Sequence, residues 1–271
     1  MQTLTIGADI ELFLYDRILK EYTSAIGIIS GTKNNPTKIT KDGFALQHDG
    51  LLCEFNIPPV TSEKGLIDNI NFIIQHIKNI IPQIYDIHIV PSARFKDKYL
   101  TAESTEIGCD KDYNIYTKES NNVVRGEHDY NLFSCGGHIH IGFKNKTEKN
   151  HERIIKMMDL YLGIPSIILD NDRDRKRLYG NAGCYRIQPH GIEYRTLSNF
   201  WITSSSLTAW AFNSTLHAVY LALSGKEITP RDQYKIVDSI NMGIKDNCIE
   251  LIDKYKIQMP KMVIKSTKIT A

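Results

Sequence analysis

The stretch Ser134-Cys135-Gly136-Gly137-His138-Ile139-His140-Ile141-Gly142-Phe143 sets two histidines one residue apart inside a short apolar run. Side chains alternate faces along a strand, so His138 and His140 point one way while Ile139 and Ile141 point the other, toward a core. Three further runs repeat the arrangement with different chemistry. Residues 5–14 place Asp9 and Glu11 on one face, with Ile6, Ala8, Ile10, Leu12 and Leu14 on the other. Residues 51–57 add Glu54, and residues 191–197 add Glu193 and Arg195 on a shared face. Carboxylates and imidazoles spread over several strands are the donors of a divalent-metal and phosphate site.

Composition narrows the class. At roughly 100 to 200 residues per domain, a 271-residue chain is one large domain or at most two. We find no composition break sharp enough to cut it, so residues 1–271 are taken as a single domain. The 33 basic and 31 acidic residues nearly cancel, which gives no basis for a nucleic-acid surface. Cysteines at 53, 109, 135, 184 and 248 form no Cys-x-x-Cys pair and are odd in number, so reduced thiols in a cytoplasmic protein are expected rather than a disulfide framework. The first residues lack the organisation of a secretory signal, and no run approaches the ~18 apolar residues that a bilayer requires.

Turn-rich pieces at 31–36 and 48–50 break the first sixty residues into alternating segments, the pattern of consecutive antiparallel strands. From 62 to 81 the apolar residues Leu66, Ile67, Ile70, Ile73, Ile74, Ile77, Ile80 and Ile81 recur at spacings of three and four, which predicts an amphipathic helix ended by Pro82. A strand is expected over 84–90 and helices over 149–162 and 202–223, with one or two more in 231–256. Residues 202–271 thus form a helical C-terminal part. Residues 92–133 are polar with weak periodicity, which fits a surface excursion: a lid over a cleft or plain decoration.

Each motif has a plainer explanation. Asp9 and Glu11 fit the solvated face of an edge strand, yet acids in so apolar a strand call for a partner, because an unpaired buried carboxylate costs several kcal/mol. His138 and His140 fit rim histidines, and the preceding Gly136-Gly137 allows close approach of a backbone or ligand. Glu193 and Arg195 fit an exposed cross-strand pair worth about 0 to 1 kcal/mol. In Asp172-Arg173-Asp174-Arg175-Lys176-Arg177, followed by Arg186, Arg173 and Arg175 read as a solvated charged face. Arg177 and Arg186 are the better phosphate ligands, since a guanidinium fork matches phosphate oxygens. There is no phosphate loop of the Walker type and no nucleophile elbow.

Taken in order, Gly7-Ala8-Asp9-Ile10-Glu11-Leu12-Phe13, Asp49-Gly50 with Glu54-Phe55-Asn56-Ile57-Pro58-Pro59, Ile107-Gly108-Cys109-Asp110-Lys111-Asp112-Tyr113-Asn114, Gly136-Gly137-His138-Ile139-His140-Ile141-Gly142, and Arg177-Leu178-Tyr179-Gly180-Asn181-Ala182-Gly183 leading into residues 191–201 resemble the phage-type carboxylate-amine ligases. These amidoligases belong to the glutamine synthetase and glutamate-cysteine ligase superfamily. The resemblance spans residues 5–201.

The resemblance implies an α+β fold: a curved, mostly antiparallel sheet, the glutamine synthetase-like half-barrel, with helices packed on its convex side. It implies an ATP-dependent enzyme that joins a carboxylate to an amine through an acyl phosphate, releasing ADP and phosphate, with two or three Mg2+ or Mn2+ ions. Carried over residue by residue, the metal ligands are Asp9, Glu11, Glu54, His138 and Glu193. Arg195 meets the transferring phosphoryl, His140 lies near the nucleotide, and Arg177 and Arg186 lie near phosphate or the substrate carboxylate. Small-molecule or peptide substrates are expected, in the cytoplasm of a phage host, without nucleic-acid or membrane partners. The alternatives are a metal-dependent hydrolase on the same scaffold and a non-catalytic phage binding protein.

Overall fold

Alternation of apolar and other residues over 5–11, followed by an apolar run, lets one strand serve as the spine of the molecule, β1 (Thr5–Asp16). The computed structural model describes residues 4–39, 43–105, 112–121, 129–170 and 173–260. After β1 come β2 (Glu21–Thr23), β3 (Gly31–Thr32), β4 (Asn35–Lys38), β5 (Ala45–Asp49) and β6 (Leu52–Val60). Helix α1 (Glu63–Ile80) leads to β7 (Tyr85–His88), β8 (Ser92–Arg94), the short α2 (Ala102–Thr105), β9 (Asp112–Asn114), β10 (Ser120–Asn121), β11 (Leu132–Ser134) and β12 (Gly137–Gly142). The remainder comprises α3 (Glu148–Met158), α4 (Ile164–Leu169), α5 (Arg173–Lys176), β13 (Cys184–Gln188), β14 (Gly191–Tyr194), α6 (Ser205–Leu223), α7 (Pro230–Met242) and α8 (Lys245–Tyr255).

The main sheet runs β10-β9-β13-β14-β12-β1-β6-β5-β3-β4, and its neighbours are antiparallel except for a parallel bridge between β3 and β5. β12 and β6 flank the first half of β1, and β2 and β7 flank its second half. The architecture is therefore a mixed α/β fold built on a large, mostly antiparallel sheet.

The even-numbered face of β1 is the core face. Ile6, Ala8, Ile10, Leu12 and Leu14 are at most 2% exposed, and they join one cluster with Ile139, Ile141 and Ile192 of the neighbouring strands and Leu66, Ile70, Ile73 and Ile77 of α1. Burial of each Ile or Leu contributes about 1.5–3 kcal/mol, so this face is what holds helix to sheet. α6 packs against both α1 and α3. Caps set the helix starts: the hydroxyls of Ser62, Thr147, Ser204 and Thr229 accept from backbone N–H groups three residues on. The helical run expected over 149–162 changes at Asp159 into a wider π turn (Asp159–Gly163) that continues into α4.

Odd-numbered Phe13 faces the other way. It begins a second, smaller core with Leu51, Ala93, Phe95, Phe133 and Cys135, in which the rings of Phe13 and Phe95 lie 5.7 Å apart and those of Phe95 and Phe133 5.3 Å apart. This core anchors the separate β8–β11 ribbon at one end of the polar face. Of the stretch 92–133, β9 and β10 extend the main sheet beyond β13. Its role as a cover falls partly on 106–111 and 122–128, which lie outside the described residues, as do Cys109 and residues 261–271. The four described cysteines are buried and form no disulfide among the described residues. Among the described residues no helix is long and apolar enough to cross a membrane.

Candidate active site on one face of the sheet

Strand register turns the local pattern into a site. Gln47 of β5, Glu54 of β6 and Glu11 of β1 stand in one row across the sheet. The next row holds Asn56, Asp9 and His138, and the third holds Gly7, His140, Glu193 and Arg186. These positions share parity, so their side chains rise from the same face, opposite the helices.

Asp9, His140 and Glu193 bring ligand atoms within 4.8 Å of one another, a grouping able to hold a metal ion. His140 Nε2 lies 2.9 Å from Asp9 Oδ2, and its Nδ1 is 3.2 Å from His190 Nε2. Asn56 Nδ2 donates to Asp9 Oδ1. Burial by itself would lower the His140 pKa, but the hydrogen bond and charge of Asp9 outweigh it and the pKa is raised. Glu193 is fully buried, which alone would raise its pKa, yet Arg195 and the two histidines hold it well below the usual carboxylate range.

Glu11 and Glu54 face each other across β1 and β6 and are both buried. Burial pushes Glu11 up to about 7 against the backbone N–H of Gly136, which donates to its carboxylate. Glu54 is pushed up to about 8 by burial and by the nearby charges of Glu11 and Asp9, although Gln47 Nε2 donates to its Oε2 at 2.6 Å. Two adjacent buried carboxylates are the environment that a cation relieves.

His138 is 3% exposed, with Nδ1 3.5 Å from Glu193 Oε1 and 3.1 Å from Arg195 Nη1. Burial first, then Arg195, drives its pKa well below the ordinary value. Its Nε2 is buried without a hydrogen-bond partner. The ring folds back so closely that a Cβ on Gly136 would meet Nε2 at 2.2 Å, so a side chain there would have to displace the imidazole.

Arg195 is 3% exposed and sits at the centre of the charged face. Its Nη1 donates to Glu193, and its Nε lies 2.7 Å from both Asp112 Oδ1 and the Tyr179 hydroxyl. Arg186 reaches the same acids, with Nη1 3.4 Å from Glu193 Oε2 and Nη2 3.5 Å from Asp112 Oδ1. Burial raises the Asp112 pKa despite these two guanidiniums.

The structure thus gathers Asp9, Glu11, Glu54, His138, His140, Arg186, Glu193 and Arg195 on one face. It turns Arg177 aside: that side chain is half exposed and is held by Asp129 at 2.7 Å, a carboxylate shared with Arg94 at 3.1 Å. Arg175 is corrected. Expected on a solvated face, it is 0% exposed, because its guanidinium donates to the carbonyls of Thr196 and Leu197, each at 2.9 Å. Asp112 and Tyr179 were not singled out from the sequence, although both fall inside motifs that carry the resemblance. Asn56, also not singled out, has the parity of Glu54, a period-two signal that could have placed it on this face.

Among solved structures, a bifunctional glutathione synthetase from Pasteurella multocida is 9% identical with a TM-score of 0.47, covering 93% of this chain and 46% of that one. The chain therefore spans about half the length of that enzyme. A GmaS/ADP complex is 10% identical with a TM-score of 0.36, covering 98% of this chain and 73% of that one. No curated protein matches the sequence. A family profile matches residues 88–237, more than half of the chain, and the matched span carries His138, His140, Glu193 and Arg195. On that match, the chain belongs to the phage phiEco32-like COOH.NH2 ligase-type 2 family.

Proposed function

We propose that this protein is an ATP-dependent ligase that joins a carboxylate to an amine through an acyl phosphate, on a sheet curved into a glutamine synthetase-like half-barrel. One observation supports this above the others: a metal-capable grouping, Asp9, His140 and Glu193, lies on the same face as the buried guanidinium of Arg195, in contact with Glu193. Activation of water by a metal does not by itself need buried guanidiniums beside the donors, whereas transfer of a phosphoryl group does draw on them.

The residues present suit magnesium or manganese, which favour carboxylate oxygens and, for manganese, accept imidazole. Asp9, His140 and Glu193 would hold an ion, and Glu11 and Glu54, paired across β1 and β6 in the adjoining row, would offer further carboxylate oxygens. Bound there, the ions would neutralise charge on the phosphate oxygens. In the transfer, a substrate carboxylate oxygen attacks the γ-phosphorus and the bond to ADP breaks. The amine nitrogen then attacks the acyl carbon, phosphate leaves, and the amine proton passes to solvent.

Arg195 and Arg186 act on the transferring phosphoryl, where fixed positive charge is worth most because donors already held in place need no reorganisation. Arg195 and the two histidines favour the ionised form of Glu193, whose carboxylate in turn keeps Arg195 in place. Incubation with ATP, magnesium and panels of carboxylates and amines tests the proposal. ADP and phosphate are the expected products, and Arg195→Ala should abolish their release by about 10²-fold or more while circular dichroism stays unchanged. Release of AMP would mean adenylation and would overturn the acyl phosphate route.

A further inference from the structure

We infer that the segment 173–180 is a clamp on Arg195, with Tyr179 and Asp112 as the positioning residues that fix the plane of its guanidinium. The inference rests on the ligase reading for its consequence, and on geometry for its substance.

The segment grips the Arg195 strand from two sides. From behind, the buried Arg175 binds the carbonyls of Thr196 and Leu197 at 2.9 Å and approaches that of Arg195 at 3.4 Å, which holds the backbone on which Arg195 is mounted. Lys176 Nζ adds a contact to the Thr196 carbonyl at 3.4 Å. From the front, the Tyr179 hydroxyl accepts from Arg195 Nε at 2.7 Å and donates to Asp112 Oδ2, while Asp112 Oδ1 pairs its charge with the guanidinium at 2.7 Å from the same Nε. The Arg195 guanidinium also lies over the Tyr179 ring, 5.4 Å from its centroid.

Gly180 makes the two-sided grip possible. Its φ is +80°, and a Cβ there would meet Arg175 Nη1 at 2.0 Å and the Thr196 carbonyl at 2.8 Å. A residue with a side chain would force Arg175 off the carbonyls, so the turn that delivers Tyr179 and the socket that takes Arg175 are one construction.

The chemical reason is the demand on Arg195. A long side chain with several rotatable bonds gives little transition-state stabilisation unless its donors are already aimed, and a misplacement of ~1 Å can cost about 10²-fold in rate. Nε is fixed by Tyr179 and Asp112, and Nη1 by Glu193 and His138. Both ends of the fork are thereby set. The matched family span contains every member of this assembly.

Tyr179→Phe keeps the ring and removes the hydroxyl. It should slow ADP release by about 10–100-fold at saturating ATP, the penalty of a misaimed group, while KM for ATP and manganese affinity by calorimetry stay within about twofold of wild type. Independently of turnover, hydrogen exchange at Arg195 Nε–H, followed by NMR of Arg-labelled protein, should be about tenfold or more faster in Tyr179→Phe than in wild type. Asp112→Asn should move both readouts the same way. Unchanged Nε–H exchange in Tyr179→Phe overturns the clamp, as does a parallel fall of kcat, metal affinity and thermal stability, which would mark a purely structural tyrosine. Protected Nε–H in a wild-type protein that releases no ADP would retain the clamp and overturn the ligase assignment instead.

Discussion

His140 and His138 stand one residue apart on the same strand face, yet their surroundings give them different chemistry. His140 sits against Asp9, whose hydrogen bond and charge favour its protonated form, and its ligand atom falls inside the grouping with Asp9 and Glu193. His138 is enclosed beside Arg195, which makes a proton on it unfavourable. Removing His140 takes one donor from the three-residue grouping, whereas removing His138 also leaves a hole next to Arg195. His140→Ala is therefore expected to weaken manganese binding by at least about 10-fold, the lower end of what loss of even a supporting group costs a metal site. Calorimetry checks this. Wild-type affinity in His140→Ala would exclude that imidazole from the site.

The helical layer shows the same dependence on buried polar partners, at the scale of elements. α7 and α8 are joined through Asp232, which is 4% exposed and binds Lys254 at 2.8 Å and the hydroxyls of Tyr255 at 2.6 Å and Thr229 at 2.8 Å. Burial opposes its ionisation, but these hydrogen bonds outweigh it and lower the pKa from 3.8 to about 2. A carboxyl whose folded pKa lies below its unfolded value stabilises fully above the unfolded value, and that stability is lost as pH falls through the folded one. The contribution of Asp232 should thus be complete above about pH 4 and vanish between about pH 4 and 2. Asp232→Asn is expected to cost ~1–3 kcal/mol at pH 7, the range for a hydrogen bond to a charged group, and to lose its effect near pH 2. Thermal melts across that range measure it; an equal deficit at pH 7 and at pH 2 would show that packing, not charge, is what Asp232 provides.

Across the whole molecule, what the sequence made legible was parity. The alternation in β1, β12 and β14 assigned Ile6, Ile10, Ile139 and Ile141 to the core and Asp9, Glu11, His138, His140 and Glu193 to the other face before any pairing was known. Register was not legible, because it depends on contacts between segments far apart in the chain: Asp112 matters only once β9 pairs with β13, and Arg175 is buried only because the 173–180 turn folds over Thr196. A run of alternating charges carries no mark of such a contact. The same distance in sequence has a thermodynamic consequence. The proposed ligands come from β1, β6, β12 and β14, so a cation that binds them cross-links strands spanning residues 9 to 193, and only the folded sheet can bind it well. A ligand that binds the folded state alone stabilises by RT ln(1 + [L]/Kd), about 2.7 kcal/mol at a hundredfold excess over Kd. At about 2–4 °C per kcal/mol for a chain of this size, saturating manganese should raise the wild-type Tm by roughly 5–10 °C. EDTA should reverse the rise, and Glu193→Gln, which removes the central acid, should lose most of it; a shift of the same size in that variant would place the stabilising ion elsewhere on the protein.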